Sequence, residues 1–267
     1  MDLRGGRGRR TVEPVPRPLP AAPAPGQESV SVVIPVRDDA EALDACLQAL
    51  AGQTVRPLEV VVVDNGSTDD TARVAARHGA RVVVEPRPGI PAAAAAGYDA
   101  AVGDVIARLD ADSVPGPRWV ERIATRMADE PDLDALSGTG RFTDLHPVPG
   151  ALATAVYLGA YYVLGHLALG HPPLWGSSMA VRRSVWHEVR DAVARRDAEV
   201  HDDLDLAFAL GPERRIVVDR HLRVGVSARS LRGAAQMRRR FGRAGRTLRR
   251  NWLRLPPWRR WRLRLGR

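Results

Sequence analysis

Apolar residues first fall into a pattern at residue 29. Val30, Val32, Val33 and Ile34 form a β-branched run closed by Pro35, which predicts a buried strand. Leu43, Cys46, Leu47 and Leu50 then recur at helical spacing within 40–51. Residues 58–63 are the strongest strand candidate, ended by Asp64-Asn65-Gly66-Ser67. Ser67 with Asp70 three residues on predicts a capping box and a helix to about Arg77. A strand over 81–84, an alanine-rich helix over 91–102 and a strand over 105–109 follow. Alternation at this spacing predicts an α/β fold: a parallel sheet flanked by helices, with ligands at the carboxyl ends of its strands.

The second half is less regular. Residues 148–170 are largely uncharged and as long as a membrane span, which needs ~20 apolar residues. Pro149, Gly150, Gly159, Gly165, the tyrosines and His166 instead favour a buried or interfacial helix. Residues 1–28 are rich in Gly, Arg, Pro and Ala without hydrophobic period, so a disordered tail is expected. The expected organisation is 1–28 tail, 29–230 catalytic domain and 231–267 basic helical tail.

Charge changes this picture. Of the 267 residues, 45% are hydrophobic, enough for a substantial core, yet the formal charge is +9. Residues 220–267 hold 17 arginines and no acid, which leaves 23 basic against 31 acidic side chains before them. An acidic body suits a divalent cation, and a basic tail suits a polyanionic surface. Met237, Phe241, Ala244, Leu248, Trp252 and Leu255 recur at helical spacing in that tail, with arginines on the other faces. Pro256-Pro257 breaks the pattern, and an Arg/Trp-rich segment follows. Such a tail predicts an amphipathic anchor on anionic lipid, each basic residue contributing roughly 1 kcal/mol. A helix packed on the body with solvated arginines is the rival expectation, and nucleic acid is the least favoured partner. The single cysteine, Cys46, excludes a disulfide framework or a cysteine zinc site and fits a reducing compartment. With no apolar run behind the basic start, no secretory signal is expected, and the predicted location is cytoplasmic, peripheral at the inner face of the membrane.

Acidic residues fall where the sheet rule puts a site. Asp64 ends a strand beside a glycine turn, where a carboxylate can accept from a base or ribose; the same residues also make a turn in any protein. Asp110-Ala111-Asp112 ends another strand. Two carboxylates turned to one crevice repel, and a divalent cation relieves the cost. Mg²⁺ or Mn²⁺ takes oxygen ligands, commonly one or two carboxylates completed by substrate phosphates. His201-Asp202-Asp203-Leu204-Asp205-Leu206 opens an apolar-periodic helix. Acids favour a first helical turn, so Asp202 and Asp203 are expected to cap it, while one of them acts as a base.

These segments together resemble the family 2 glycosyltransferases. The likeness runs through Ser31-Val32-Val33-Ile34-Pro35-Val36, Val61-Val62-Val63-Asp64-Asn65-Gly66-Ser67-Thr68-Asp69, Gly103-Asp104-Val105-Ile106-Ala107-Arg108-Leu109-Asp110-Ala111-Asp112, Gly176-Ser177-Ser178-Met179 and Asp202-Asp203-Leu204-Asp205-Leu206. It implies a GT-A fold and an inverting transfer from a UDP-, GDP- or dTDP-linked sugar to an acceptor hydroxyl or phosphate, lipid-linked if the tail binds membrane. It places Pro35, Arg37, Asp39, Asp64 and Asp110 at the nucleotide sugar, Asp112 with Asp110 at the metal, and Asp203, paired with Asp202, as the base. Trp175, Gly176, Ser177 and Ser178 would form the loop facing sugar and acceptor.

The chain departs from the family at several positions. Asn65 stands for a second aspartate, Asp202 for a glutamate, and Ala94-Ala95 for an Arg-Asn pair whose basic contact Arg87 or Arg108 would supply. The later metal-binding histidine of some members has no counterpart; His221 is a poor substitute, and Ser227-Ala228-Arg229 occupies that region. Two rival functions remain. A nucleotidyltransferase needs a basic glycine-rich loop after the first strand, which Pro35-Val36-Arg37-Asp38-Asp39 is not. An inert membrane- or nucleic-acid-binding protein agrees with the tail but not with the ordered acidic motifs.

Overall fold

A computed structural model describes residues 26–231 and 233–266 of the chain. Most of the expected disordered tail therefore lies outside the described residues. Order already reaches Glu28, whose amide bonds Ala124 O and whose carboxylate pairs with Arg182.

The first half follows the alternation: β1 (Val30–Val36), α1 (Ala40–Ala51), β2 (Glu59–Asp64), α2 (Thr71–Arg77), β3 (Arg81–Val84), α3 (Ile90–Ala100) and β4 (Val105–Arg108). All pairings among these strands are parallel. Side chains of β1 alternate between two cores: Val32 and Ile34 meet α1 residues Leu43 and Leu47, whereas Val33 meets Ala94 and Tyr98 of α3. Gly97 lets α3 approach the sheet, because a Cβ there would lie 2.3 Å from a Val33 methyl. Sequence boundaries shift slightly. Asp64 is the last residue of β2, paired with Val36, rather than the first beyond it. The predicted Ser67 capping box is absent: α2 begins at Thr71, and Ser67 Oγ instead accepts from Asp38 N, tying the turn after β2 to the loop after β1.

The second half adds β5 (Val114–Pro115), α4 (Trp119–Asp129), β6 (Ala135–Phe142), α5 (Pro147–Leu169), β7 (Met179–Arg182), α6 (Arg183–Val189), α7 (Asp202–Leu210) and β8 (Ile216–Val226). A 3₁₀ turn (Ala228–Leu231), α8 (Ala234–Trp252) and α9 (Pro257–Leu265) complete it. The eight strands lie in the order β3-β2-β1-β4-β7-β6-β8-β5. Beyond β4 the sheet turns mixed, with β7 antiparallel to both β4 and β6. Chain order reverses between β1 and β4, and the crevice at that switch point is where open α/β sheets bind ligands.

The basic tail is seated on the body. Leu248 and Trp252 of α8 pack against the α3–α7 core, Thr247 Oγ accepts from His201 N, and the buried Arg260 of α9 donates to Phe208 O. The expected apolar stripe is packed only in part: Leu248 and Trp252 belong to it and reach the core, whereas Phe241 is 70% exposed and Leu255 lies beyond the end of α8. Bonds from Thr247 and Asn251 help set the rotation of the helix, since Asn251 reaches Asp205.

Candidate active site

The loop after β1 and the turn after β2 form one rim of the cleft. Asp38 takes a positive φ of 49°, a conformation that aspartate tolerates better than most residues, and its carboxylate accepts from the Thr68 amide and hydroxyl. Asp64 Oδ1 accepts from Ser67 N at 2.8 Å, so this carboxylate makes the turn while standing at the cleft edge. Asn65 is buried: its amide group donates to Glu85 O and Arg87 O, and its oxygen accepts from Gly89 N. An aspartate could not donate to those two carbonyls, which accounts for asparagine here. Arg37 is exposed near Asp38, and Pro35 is buried within β1 opposite Val63, below the rim.

The remaining acids converge through two arginines. Arg108, inside β4 with a side chain only 3% exposed, donates to Asp110 Oδ1 at 3.0 Å and ion-pairs with Asp202 at the start of α7. Burial alone would lower the Arg108 pKa, but Asp202, with smaller contributions that include Asp110 and Asp203, raises it well above its ordinary value. Burial pushes the Asp202 carboxyl up, with Arg108 opposing. Gly176 is required beside this hub, because a Cβ there would sit 2.9 Å from the guanidinium carbon. Arg229, in the 3₁₀ turn after β8, reaches back to both Asp39 oxygens and lies 3.2 Å from Asp112 Oδ2. Burial, then the neighbouring Asp110, push Asp112 up to about 6, while Arg229 works against them.

The loop before β7 closes the other side. Gly176 N donates to Asp203 Oδ2 at 2.9 Å, and Ser177 Oγ to Asp110 Oδ2 at 2.7 Å. Trp175 is buried against Gly140. Ser178 does not face the cleft: it is fully buried, accepts from Trp119 Nε1 and donates to Leu222 O, which makes it a core residue. Nor do Asp202 and Asp203 cap α7. His201 is the N-cap residue, Asp202 is spent on Arg108, and Asp203 Oδ1 accepts from Leu204 N.

Asp110, Asp112, Asp202, Asp203 and Asp39 are thus brought together, and Asp64 lies along the same strand edge. Arg87 is engaged by Glu85 and His221 by Arg122 and Asp219. Ala94 and Ala95 line a small cavity with Tyr98, Trp186, Asp202 and Arg195, and the cation paired with Asp202 is Arg108. The sequence offered Arg108 only as a contact to the donor and Arg229 only as part of the segment in place of a histidine; that both bridge the acids of the site was not foreseen. An arginine among Val105, Ile106, Ala107 and Leu109 was a readable signal, since charged residues are rarely buried unpaired. For Arg229 the resemblance marked only its region, and no local pattern points to its partners Asp39 and Asp112.

Among the described residues no group of three or more His, Cys, Asp or Glu side chains forms a metal site by itself. The donor chemistry still fits a hard cation that substrate phosphates help to ligate. Asp112 and Asp110 supply carboxylate oxygens, and Arg229 already places positive charge between Asp39 and Asp112.

Comparison with known proteins gives a consistent picture. A family profile described as Glycosyl transferase family 2 matches residues 31–189. An uncharacterized glycosyltransferase of Mycobacterium bovis is 52% identical over 86 residues, which is 32% of this chain and 37% of the relative. An undecaprenyl-phosphate 4-deoxy-4-formamido-L-arabinose transferase of Pectobacterium carotovorum is 33% identical over 116 residues, 40% of this chain and 36% of its own. The aligned stretches therefore span well under half of either relative. Among solved structures, the mannosyltransferase PcManGT from Pyrobaculum calidifontis, in complex with GDP-Man and Mn²⁺, superposes with a TM-score of 0.66 at 20% identity, covering 94% of this chain and 72% of that one. The fold is the GT-A fold.

Proposed function

Because the chain belongs to glycosyl transferase family 2, we propose that it transfers a sugar, with inversion, from a nucleotide-sugar donor to an acceptor hydroxyl or phosphate. The observation that carries this reading is the meeting of Asp39, Asp110, Asp112, Asp202 and Asp203 at the β1–β4 switch point through Arg108 and Arg229. Asp39 and Asp64, on the β1–β2 side, take the nucleoside, and Asp110 sits between nucleoside and phosphates. Asp112 and Asp110 would hold Mg²⁺ or Mn²⁺, which supplies positive charge against that developing on the leaving diphosphate. The Mn²⁺ and GDP-Man bound to the Pyrobaculum enzyme support both assignments.

Asp203 is the base. Its oxygens accept from Gly176 N and Leu204 N, which fixes the carboxylate while leaving each oxygen a further lone pair. It takes the proton from an acceptor hydroxyl as that oxygen bonds the anomeric carbon. The bond from that carbon to the diphosphate oxygen breaks on the opposite face, so the centre inverts. An acceptor phosphate arrives deprotonated and needs only orientation. Asp202 positions rather than reacts, because Arg108 engages it. The Pectobacterium relative named for undecaprenyl phosphate supports a lipid-linked acceptor, and with the arginine-rich tail it supports a cytoplasmic protein peripheral to a membrane.

The test is nucleoside diphosphate release from UDP-, GDP- and dTDP-linked sugars with Mn²⁺ or Mg²⁺. One donor is expected to give metal-dependent release and to raise the melting temperature. Pyrophosphate release would assign a nucleotidyltransferase instead, and no response to any sugar nucleotide would remove the transfer reading.

A further inference from the structure

Helix α5 is apolar on the side that faces water as well as on the side that faces the core. Its polar groups point inward: Tyr161 donates to Leu174 O, Tyr162 to Gly138 O, and Thr154 bonds Phe142 N and Gly150 O. Leu158 and Leu169 join them in the core, yet six further aliphatic residues point outward: Val148, Leu152, Val156, Val163, Leu164 and Leu167 are each 56–76% exposed. At about 100° per residue these six fall on one face along the whole helix. The segment Val148–Leu169 has a mean hydropathy of 1.4, and only 22% of its most apolar stretch is buried. A core helix would be mostly buried, and a surface helix would turn these aliphatics inward. An exposed apolar patch of this extent marks an interaction surface.

What surrounds the face identifies its partner. Helix α8 runs beside α5 in the same direction, with Arg240 Nη2 bonded to Tyr157 and Trp252 Nε1 to Ala168 O. Trp261 of α9 donates to Leu167 O and packs edge-on against His166. These two helices add the exposed Phe241, Trp258 and Leu265, interleaved with exposed arginines such as Arg249, Arg259 and Arg262. No acidic residue occurs in the chain from Arg220 onward, although Arg243, Arg246 and Arg250 pair with Glu199, Asp197 and Asp205 of the body. A second copy joined about a twofold axis would set this arginine rim against itself. An anionic lipid surface supplies both the apolar interior and the negative rim. A transmembrane course is opposed by the inner face, which is hydrogen-bonded to β6 and to the loop before β7.

We propose that the outer face of α5, with the exposed aromatic and arginine side chains of α8 and α9, is a docking surface that lies in the plane of an anionic lipid interface. Docking aims the cleft. The inner face of the same helix holds Leu174 O, next to the Trp175-Gly176 loop that bonds Asp203, so the base side of the site is set toward the lipid surface. That orientation, unlike the docking, rests on the transfer reading.

Cys46 is buried, so a thiol introduced at the surface is labelled selectively. Leu164→Cys carrying an environment-sensitive fluorophore should shift to the blue on vesicles of phosphatidylglycerol and phosphatidylcholine. Ala76→Cys on α2, at the opposite end of the sheet, should not. Binding should fall about tenfold on phosphatidylcholine alone. Val156→Glu with Leu164→Glu, both on the solvent side, should lower co-sedimentation with anionic vesicles about tenfold without changing the melting temperature. No shift at residue 164, or equal binding to neutral vesicles, overturns the proposal. So does a concentration-dependent dimer that the double variant abolishes, which would give the face to a second copy. Vesicle binding without sugar-nucleotide stabilisation would keep the docking surface and sink the transfer reading.

Discussion

Arg108 and Arg229 each bridge two aspartates of the cleft, in opposite surroundings. Arg108 is buried inside a strand and joins Asp110 to Asp202, while Arg229 is half exposed on a single 3₁₀ turn and joins Asp39 to Asp112. Equivalent chemistry therefore does two jobs. Removing a partner from the buried pair strands a charge away from water, whereas the exposed pair has water and ions to replace either member. Arg108 is scaffold, and Arg229 is a displaceable cation at the place where the proposed donor and its metal enter.

The largest effect is expected at the carboxylate that neither arginine holds. Asp203→Asn should lower kcat by about 10²–10⁴-fold with donor binding retained, as measured by nucleoside diphosphate release. Unchanged turnover would remove Asp203 from the base role. Next, Arg108→Met leaves Asp202 buried and unpaired, and chemical denaturation should show a loss of about 3–5 kcal/mol. A loss no larger than that of Arg229→Met would erase the contrast.

A third test uses pH on metal-free protein in EDTA. Asp112 titrates near 6 in the fold against an ordinary 3.8, so the unfolded chain releases this proton first as pH rises. The stability it contributes is complete below about pH 4 and lost as pH climbs through about 6, on the order of 2–3 kcal/mol. Asp112→Asn should flatten that part of the curve, and an unaltered curve would contradict the crowding described here. The smallest effect belongs to Arg229→Met, which should cost less than about 1 kcal/mol of stability. It should raise Mn²⁺ affinity of the donor-free protein by up to about fivefold in calorimetry; weaker Mn²⁺ binding would mean that Arg229 assists the cation rather than competes with it.

The contrast also separates what the sequence could reveal from what it could not. The parallel half was legible because Val30–Val36, Glu59–Asp64 and Val105–Arg108 are largely β-branched or apolar runs, and burial on both faces demands that composition. The positions of Asp110 and Asp112 followed from the same rule. The partners of those acids did not follow, because Arg229 lies 117 residues from Asp112 and 190 from Asp39. Hydrophobic period fixes which face of a strand is buried, not which distant side chain meets it. Ser178 was misassigned because its motif neighbours Gly176 and Ser177 do face the cleft, while the strand starting at Met179 turns it inward. For α5 no period marks the buried side, because Leu158 and Leu169 lie inside with the tyrosines while Val148, Val156 and Val163 lie outside, and only the packed neighbours reveal which is which.

Calorimetric titration of GDP- and UDP-linked sugars, with and without Mn²⁺, into the wild-type protein and Asp112→Ala tests most directly whether these carboxylates serve one cation and diphosphate. One donor should bind wild type tightly only with Mn²⁺, and the Mn²⁺ dependence should vanish in the variant. Equal binding with and without Mn²⁺, or an undiminished Mn²⁺ dependence in Asp112→Ala, would contradict it.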